Sequence, residues 1–444
     1  MALLSATVYP NRMIFRLGAE PLSKRSVYEI HEDCEEGEGN NVENSSRKGI
    51  SKQNISLPML ARGMIVLLAF FIPLSTAMTL ILTYAIVLVW LIDKNAHDRW
   101  QFYFSYPLIK PIVFFMLVSS LGTLYSMGSE KATLAGFYHG LRLSLIPVLA
   151  YYLQEEQSKY KDLVMYAFGS ALIVTVICAF LKVYAGIPIG ARTYGNDVFK
   201  DHIIISYFMA ISIFFAYMWF LEEKLSKELL ILLMGLMLYH LIFLNTGRIG
   251  FVILYICFSV VAWHRYRFKG ILITYLLLSL VMLCAYQYSD IFSMRMNEFY
   301  QEFELYLQGK AVSSIGTRLE WATNSLKLFF EHPIIGFGTG SYKHSYAIYY
   351  AGQVEKLADN PHNQYLKMAV EHGMIGVVAL GWLFYSQWKL VQQLKGSNLI
   401  LAQSIFLSFF IGCLFNSWLK DVSEFHFYCL MAAIFIPCIQ KLKN

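Results

Sequence analysis

The stretch DNPHNQYLKMAVEHGMIG, residues 359–376, places His362 where a polar loop runs into an apolar helix. Asn360 suits a helix N-cap and Pro361 the first helical position, which puts His362 in the first turn. Unpaired backbone N–H groups and a partial positive charge there disfavour imidazolium. A histidine so placed stays neutral near pH 7 and suits a general base. The plainer alternative is a loop histidine bonded to a carbonyl. Three arginines weigh against it. Arg248, in LNTGRIGF, is squeezed between two apolar runs, where a charge is expensive and usually functional. Arg192 lies in GARTYGN, and Arg318, in GTRLEWA, opens a helical pattern. Arginine grips phosphate with a planar fork of donors. Snorkelling at a membrane interface accounts for any one of them. Three beside one histidine point to an anion site with a base.

Other residues carry weaker signals. Arg142 lies inside an apolar run and either pairs structurally or reaches a lipid phosphate. GFGTG, residues 336–340, follows no strand and reads as a turn rather than a phosphate loop. The carboxylates Glu320, Glu331 and Asp359 form no DxD pair, so neither a metal site nor a cofactor is expected. Lys343 and His344 read as a solvated loop face. The tyrosines of SYAIYY could stack on sugars or lie at a membrane interface.

These residues need elements to hold them, and composition names the kind. The chain has 444 residues, 57% hydrophobic and 15% charged. A soluble domain carries about 25% charged residues, so this reads as an all-α polytopic membrane protein. A span needs about 20 mainly apolar residues. Twelve candidates fall near 58–74, 76–92, 108–125, 133–152, 163–184, 203–221, 229–244, 249–264, 270–288, 374–388, 398–416 and 424–440. Alternate loops hold thirteen and five lysines and arginines, which sets the richer loops and both termini inside. The net charge of +6 is therefore a topology signal and no argument for nucleic acid.

Four regions follow: a polar tail over 1–57, read as disordered and cytoplasmic; nine spans over 58–288; a long outer segment over 289–373; and three spans over 374–444. Within the outer segment, SMRMNEFYQEFELYLQ has helical spacing. The run from Arg318 reads as an amphipathic helix with Leu319, Ala322, Leu326 and Phe330 on one stripe. YKHSYAIYYAGQVEKLADN reads as mostly irregular, and the helix after His362 is expected to break near Gly373. No CxxC occurs among the seven cysteines, so neither a disulfide framework nor a zinc site is expected.

A transfer reaction on an outer membrane face, away from ATP, needs a donor that arrives activated and membrane-bound. A lipid pyrophosphate carrying a glycan fits: its leaving group needs cations and its acceptor hydroxyl needs a base. The run RLEWATNSLKLFFEHPIIGFGTGSYKHSY…PHNQYLKMAVEHGMIG, with TGR at 246–248 and FNSWLKD before the last span, resembles the O-antigen ligase family. The resemblance implies a GT-C glycosyltransferase of the bacterial inner membrane with its site facing the periplasm. It implies transfer of a glycan from undecaprenyl pyrophosphate to the lipid A–core oligosaccharide, without metal and with inversion. By that likeness Arg248 and Arg318 hold the pyrophosphate, Arg192 matches a less distinctive arginine, and His362 is the base or orients the acceptor. O-antigen polymerases and protein O-oligosaccharyltransferases share the motif and differ in acceptor. A lipid-glycan flippase or transporter would gather its charges nearer the bilayer midplane, where only Arg142 fits.

Overall fold

A chain this apolar satisfies its backbone in lipid by closing its hydrogen bonds inside helices. The computed structural model describes residues 56–190, 196–308, 314–354 and 356–436, and among them every long element is helical. In chain order these are α1 (Leu57–Phe71), α2 (Thr76–Ile92), α3 (Ala96–Ser105), α4 (Ile109–Leu121), α5 (Glu130–Leu141), α6 (Leu145–Leu153), α7 (Gln157–Tyr184) and α8 (His202–Glu222). Then come α9 (Lys227–Tyr239), α10 (Ile249–Tyr288), α11 (Asp290–Leu307), α12 (Ser314–Glu331), α13 (Tyr342–Tyr350), α14 (Gln364–Val391), α15 (Gly396–Gly412) and α16 (Val422–Phe435). Residues 1–55 and residues 191–195, with Arg192, lie outside the described residues.

Among the described residues, five helices are by length and composition apolar enough to cross a membrane: α7, α8, α9 with its final π turn, α10 and α14. The pair α2 and α3, bent by 118° at its break, is either a broken sixth span or a re-entrant loop, and α1, α4, α15 and α16 are shorter apolar helices. This is the architecture of a multi-pass, all-α membrane protein. The expected run 133–152 is divided into α5, a 3-10 turn at Arg142–Ser144, and α6. Pro147 lacks the N–H that would bond back to Leu143, so the helix tightens there. The expected pair 249–264 and 270–288 is present as two helices within α10. Arg267, with φ 54° and ψ −142°, turns the chain back, so the Tyr255 and Tyr275 rings lie 5.0 Å apart and the Tyr255 hydroxyl 3.0 Å from Ser279 Oγ.

The break expected near Gly373 is present, with φ 61° and ψ −154° inside α14. It leaves backbone groups without helical partners, and the 333–338 loop bonds them. Phe337 N donates to Val370 O at 3.0 Å and Gly338 N to Glu371 O at 2.8 Å, while Met374 N donates to Pro333 O at 2.8 Å. The GFGTG turn thus has a structural task. Thr339 continues it by capping the end of α4, through N to Gly122 O at 3.0 Å and Oγ1 to Ser119 O at 2.6 Å.

The 289–373 segment has its own small core of Trp321, Leu328, Phe337, Tyr342, Tyr346, Ala358 and Val370. Here one expectation is corrected. The run from Arg318 is helical as expected, in α12; Leu326 and Phe330 of its apolar stripe are exposed, and it is Trp321, Asn324, Ser325 and Leu328 that are buried. The segment read as irregular contains α13, whose tyrosines satisfy that polar face. Ser325 Oγ lies 2.8 Å from the Tyr342 hydroxyl, and Asn324 Nδ2 donates to Tyr346 Oη at 3.0 Å. Lys343 and His344 lie on the exposed side of α13.

A Cβ on Gly373 would sit 2.4 Å from the Ile334 backbone, at a φ that L side chains rarely adopt. Gly381, on the same helix, has open space around it. We predict that Gly373→Ala lowers stability by about 1–3 kcal/mol or more, whereas Gly381→Ala leaves it within error. Thermal unfolding of the detergent-solubilised protein compares them; equal melting temperatures would remove the stitched break from the account.

Candidate functional site

Arg248 is placed by a tight turn. Gly247 passes so close to α8 that a Cβ there would lie 2.2 Å from His202 O, and its N–H donates to Asn245 Oδ1 at 2.6 Å. Arg248 emerges next, as the residue preceding α10. Its Nη2 stands 3.7 Å from Glu302 and 3.9 Å from Glu298, and its guanidinium lies over Phe299. Its Nε is buried and makes no hydrogen bond. Arg295, one turn into α11, donates from Nε to Thr246 O at 3.3 Å and pairs with Glu298. Arg318 comes from the first turns of α12.

His362 differs from expectation in one respect. The N-cap of α14 is Asn363, whose Oδ1 accepts from Leu366 N at 3.0 Å, so His362 precedes the cap instead of lying in the first turn. Asn360 instead accepts on its Oδ1 from the Ser417 hydroxyl at 2.7 Å, which ties it to the 413–421 loop. His362 takes φ 50°, a left-handed conformation that a side-chain-bearing residue holds only when its surroundings over-determine it. Those surroundings are visible. Its ring stacks on Trp321, centroids 5.7 Å apart and planes within 13°. Its Nδ1 lies 3.1 Å from Asn416 Oδ1.

The tautomer follows from what Asn416 does next. Its Nδ2 donates to Asp421 Oδ2 at 3.0 Å, which orients the amide and leaves Oδ1 as a pure acceptor toward the imidazole. His362 Nδ1 must therefore carry the proton, and Nε2 is the basic nitrogen. Burial, reinforced by the positive charge of Arg318 and only partly offset by Asn416, holds His362 below its usual pKa of 6.5. The neutrality expected from a helix N-terminus is supplied by these two causes.

The 413–421 loop that carries Asn416 is itself anchored. Gln364 N donates to Cys413 O at 2.7 Å, and Leu419 N to Gln364 Oε1 at 3.1 Å. Arg142, whose role the sequence leaves open, donates from Nη2 to Leu419 O and Lys420 O at 3.0 and 2.9 Å and lies over Phe425. It is a brace for this loop.

Arg248, Arg318 and His362 line one cavity of about 500 Å³, together with Arg295 and Asn416. That is the size of a small-molecule site. An apolar crevice of about 210 Å³ shares Arg248 and Arg295 with it and is walled by Phe251, Tyr255, Met282 and Phe292. Of the four residues singled out by sequence, three are brought together, and Arg192 lies outside the described residues. Arg295 and Asn416 were missed. Arg295 sits in a polar, helical-looking run, while Asn416 lies in FNSWLKD, a motif whose asparagine gives no sign of its partner. Among the described residues, no three His, Cys, Asp or Glu side chains are grouped to hold a metal ion.

The chain therefore offers a cationic, histidine-bearing cavity in a multi-pass, all-helical membrane protein. Over residues 229–381, about a third of its length, it matches the family model described as O-antigen ligase. The matched stretch runs from α9 through the break in α14 and includes Arg248, Arg295, Arg318 and His362. No curated protein matches the chain.

Carbethoxylation by diethyl pyrocarbonate requires neutral imidazole, so its rate on His362 reads that group's titration. We predict a midpoint below 6.5 by peptide mass mapping. Asn416→Asp, which sets a carboxylate on Nδ1, should move it upward. A midpoint at or above 6.5 in the parent protein would contradict the burial and Arg318 account.

Proposed function

We propose that this protein is a glycosyltransferase of the O-antigen ligase type. It moves a glycan from undecaprenyl pyrophosphate to the lipid A–core oligosaccharide at the periplasmic face of the bacterial inner membrane. The convergence of Arg248, Arg318 and His362 on one cavity carries this reading. The match to the ligase family over the same residues supports it. On this reading the twelve apolar runs span the membrane, both termini are cytoplasmic, and residues 289–373 lie outside.

The chemistry uses the groups at hand. His362 Nε2 takes the proton of the acceptor hydroxyl as the oxygen attacks the anomeric carbon from the face opposite the phosphate. The bond from that carbon to the phosphate oxygen breaks, the oxygen keeps the electron pair, and the sugar inverts. Arg248 and Arg318 answer the charge that develops on the leaving pyrophosphate, in a cavity where such contacts are stronger than in water. The apolar crevice beside Arg248 offers the first prenyl units a place next to the phosphates. The transfer needs neither metal nor cofactor, since the arginines supply the countercharge. An O-antigen polymerase or a protein O-oligosaccharyltransferase would use the same groups on a different acceptor.

The test is single-turnover transfer and donor binding in purified, well-folded variants. His362→Ala is expected to slow transfer by about 10²–10⁴-fold with donor binding nearly intact. Arg248→Lys and Arg318→Lys keep the charge, lose the fork, and are expected to weaken both. Parental transfer by His362→Ala would sink the base assignment. Transfer onto a second lipid-linked glycan or a protein, and not onto lipid A–core, would shift the reading to the polymerase or the protein transferase.

A further inference from the structure

We propose that Arg295 is a third phosphate-binding arginine of this cavity, and that Glu302, with Glu298, is a resident counter-anion that the donor's pyrophosphate displaces. The inference rests on the donor class proposed above and goes further in assigning α11 a part in binding and release.

Residues 295, 298, 299 and 302 recur on one face of α11 at helical spacing. Arg295 and Phe299 line the cavity from that face, and Glu298 and Glu302 reach Arg248 from it. Arg295 is not a loose surface cation. Its Nε is tied to Thr246 O, in the turn that presents Arg248, so the two guanidinium groups are held together. Three arginines and two carboxylates leave this part of the cavity with an excess of positive charge.

The carboxylates are poor partners for Arg248. At 3.7 and 3.9 Å they make loose ion pairs, longer than the 2.7–2.9 Å of a charge-assisted hydrogen bond. Arg248 Nε, buried and without a hydrogen bond, is a donor that neither glutamate uses. Phosphate oxygens can take such donors directly and at short range, and can therefore compete. The empty cavity stays tolerable because Glu298 and Glu302 answer part of its charge. The occupied cavity gains the better-formed bonds.

The same exchange serves release. Breaking the sugar–phosphate bond converts a pyrophosphate diester into a monoester, which carries more negative charge and would otherwise be held more tightly. Glu302, returning to Arg248, competes against it.

The test titrates geranylgeranyl pyrophosphate into the full-length protein in detergent by calorimetry. Arg295→Gln is expected to weaken binding about tenfold and Glu302→Gln to tighten it about tenfold, the scale of one charge-assisted hydrogen bond. Glu302→Asp, which restores the charge, should return toward the parental affinity. In turnover, Glu302→Gln is expected to lower the steady-state rate while keeping the single-turnover rate, because release becomes limiting. Melting temperature controls for folding in every variant. Parental affinity in Arg295→Gln, or no tightening in Glu302→Gln, overturns the proposal. If either result comes with weakened binding in Arg248→Lys, the donor class stands and only the role of α11 falls. If the parent protein binds no geranylgeranyl pyrophosphate, the donor class falls with it.

Discussion

A helix interrupted inside an apolar bundle leaves backbone groups that must find partners, and the break in α14 at Gly373 is the constraint on which this structure turns. The 333–338 loop supplies the partners, so the 289–373 segment is laced to the bundle at one fixed register. Thr339 extends the lacing to the end of α4. With that end fixed, α12 packs along α14, and Trp321 reaches the ring of His362. Arg318 and His362 are far apart in sequence, and they meet because one loop closes the hydrogen bonds of one broken helix.

A second clamp completes the site from the other side. The 413–421 loop is bonded to residues 360, 363 and 364 and braced by Arg142 through two backbone carbonyls. The Arg142 Nη2 serves both carbonyls, while its Nε is buried without a hydrogen bond. The result is local: Asn416 is held between His362 and Asp421 and dictates the imidazole tautomer. Burial pushes the Asp421 carboxyl up, against the pull of Lys420, and its Oδ2 serves as the acceptor for Asn416 in either protonation state.

Much of this was legible in the residues, for a physical reason. A charge between apolar runs is too costly to be incidental, so Arg248 stood out, and Arg318 and His362 followed from the face they share. The expected break at Gly373 was legible because a glycine interrupted an otherwise continuous helical pattern. What escaped was what only tertiary contact decides. Asn360 and Asn363 are equal N-caps by type, and only the fold shows that Asn363 caps α14 while Asn360 is turned to the Ser417 hydroxyl. The burial of Asn324 and Ser325 on α12 was not legible, because they look polar until the tyrosines of α13 are folded against them. Arg295 looked like one charge among many on a polar helix, and its tie to Thr246 exists only in three dimensions.

The arrangement of charge also couples the two halves of the proposed reaction. Arg318 helps to keep His362 neutral, and with it weakens His362 as a base. A pyrophosphate bound at the arginines offsets that positive charge and removes part of the cause. On the proposed reading His362 therefore becomes more basic only when a donor is in place, which restrains proton abstraction in the empty cavity. The sign is open to measurement: the carbethoxylation midpoint of His362 should rise when geranylgeranyl pyrophosphate is bound. In Arg318→Gln, where the charge is already gone, that rise should be smaller. An unchanged midpoint with bound ligand would separate the anion site from the base. The shared cavity would then bring the arginines and the histidine together without linking their ionisation.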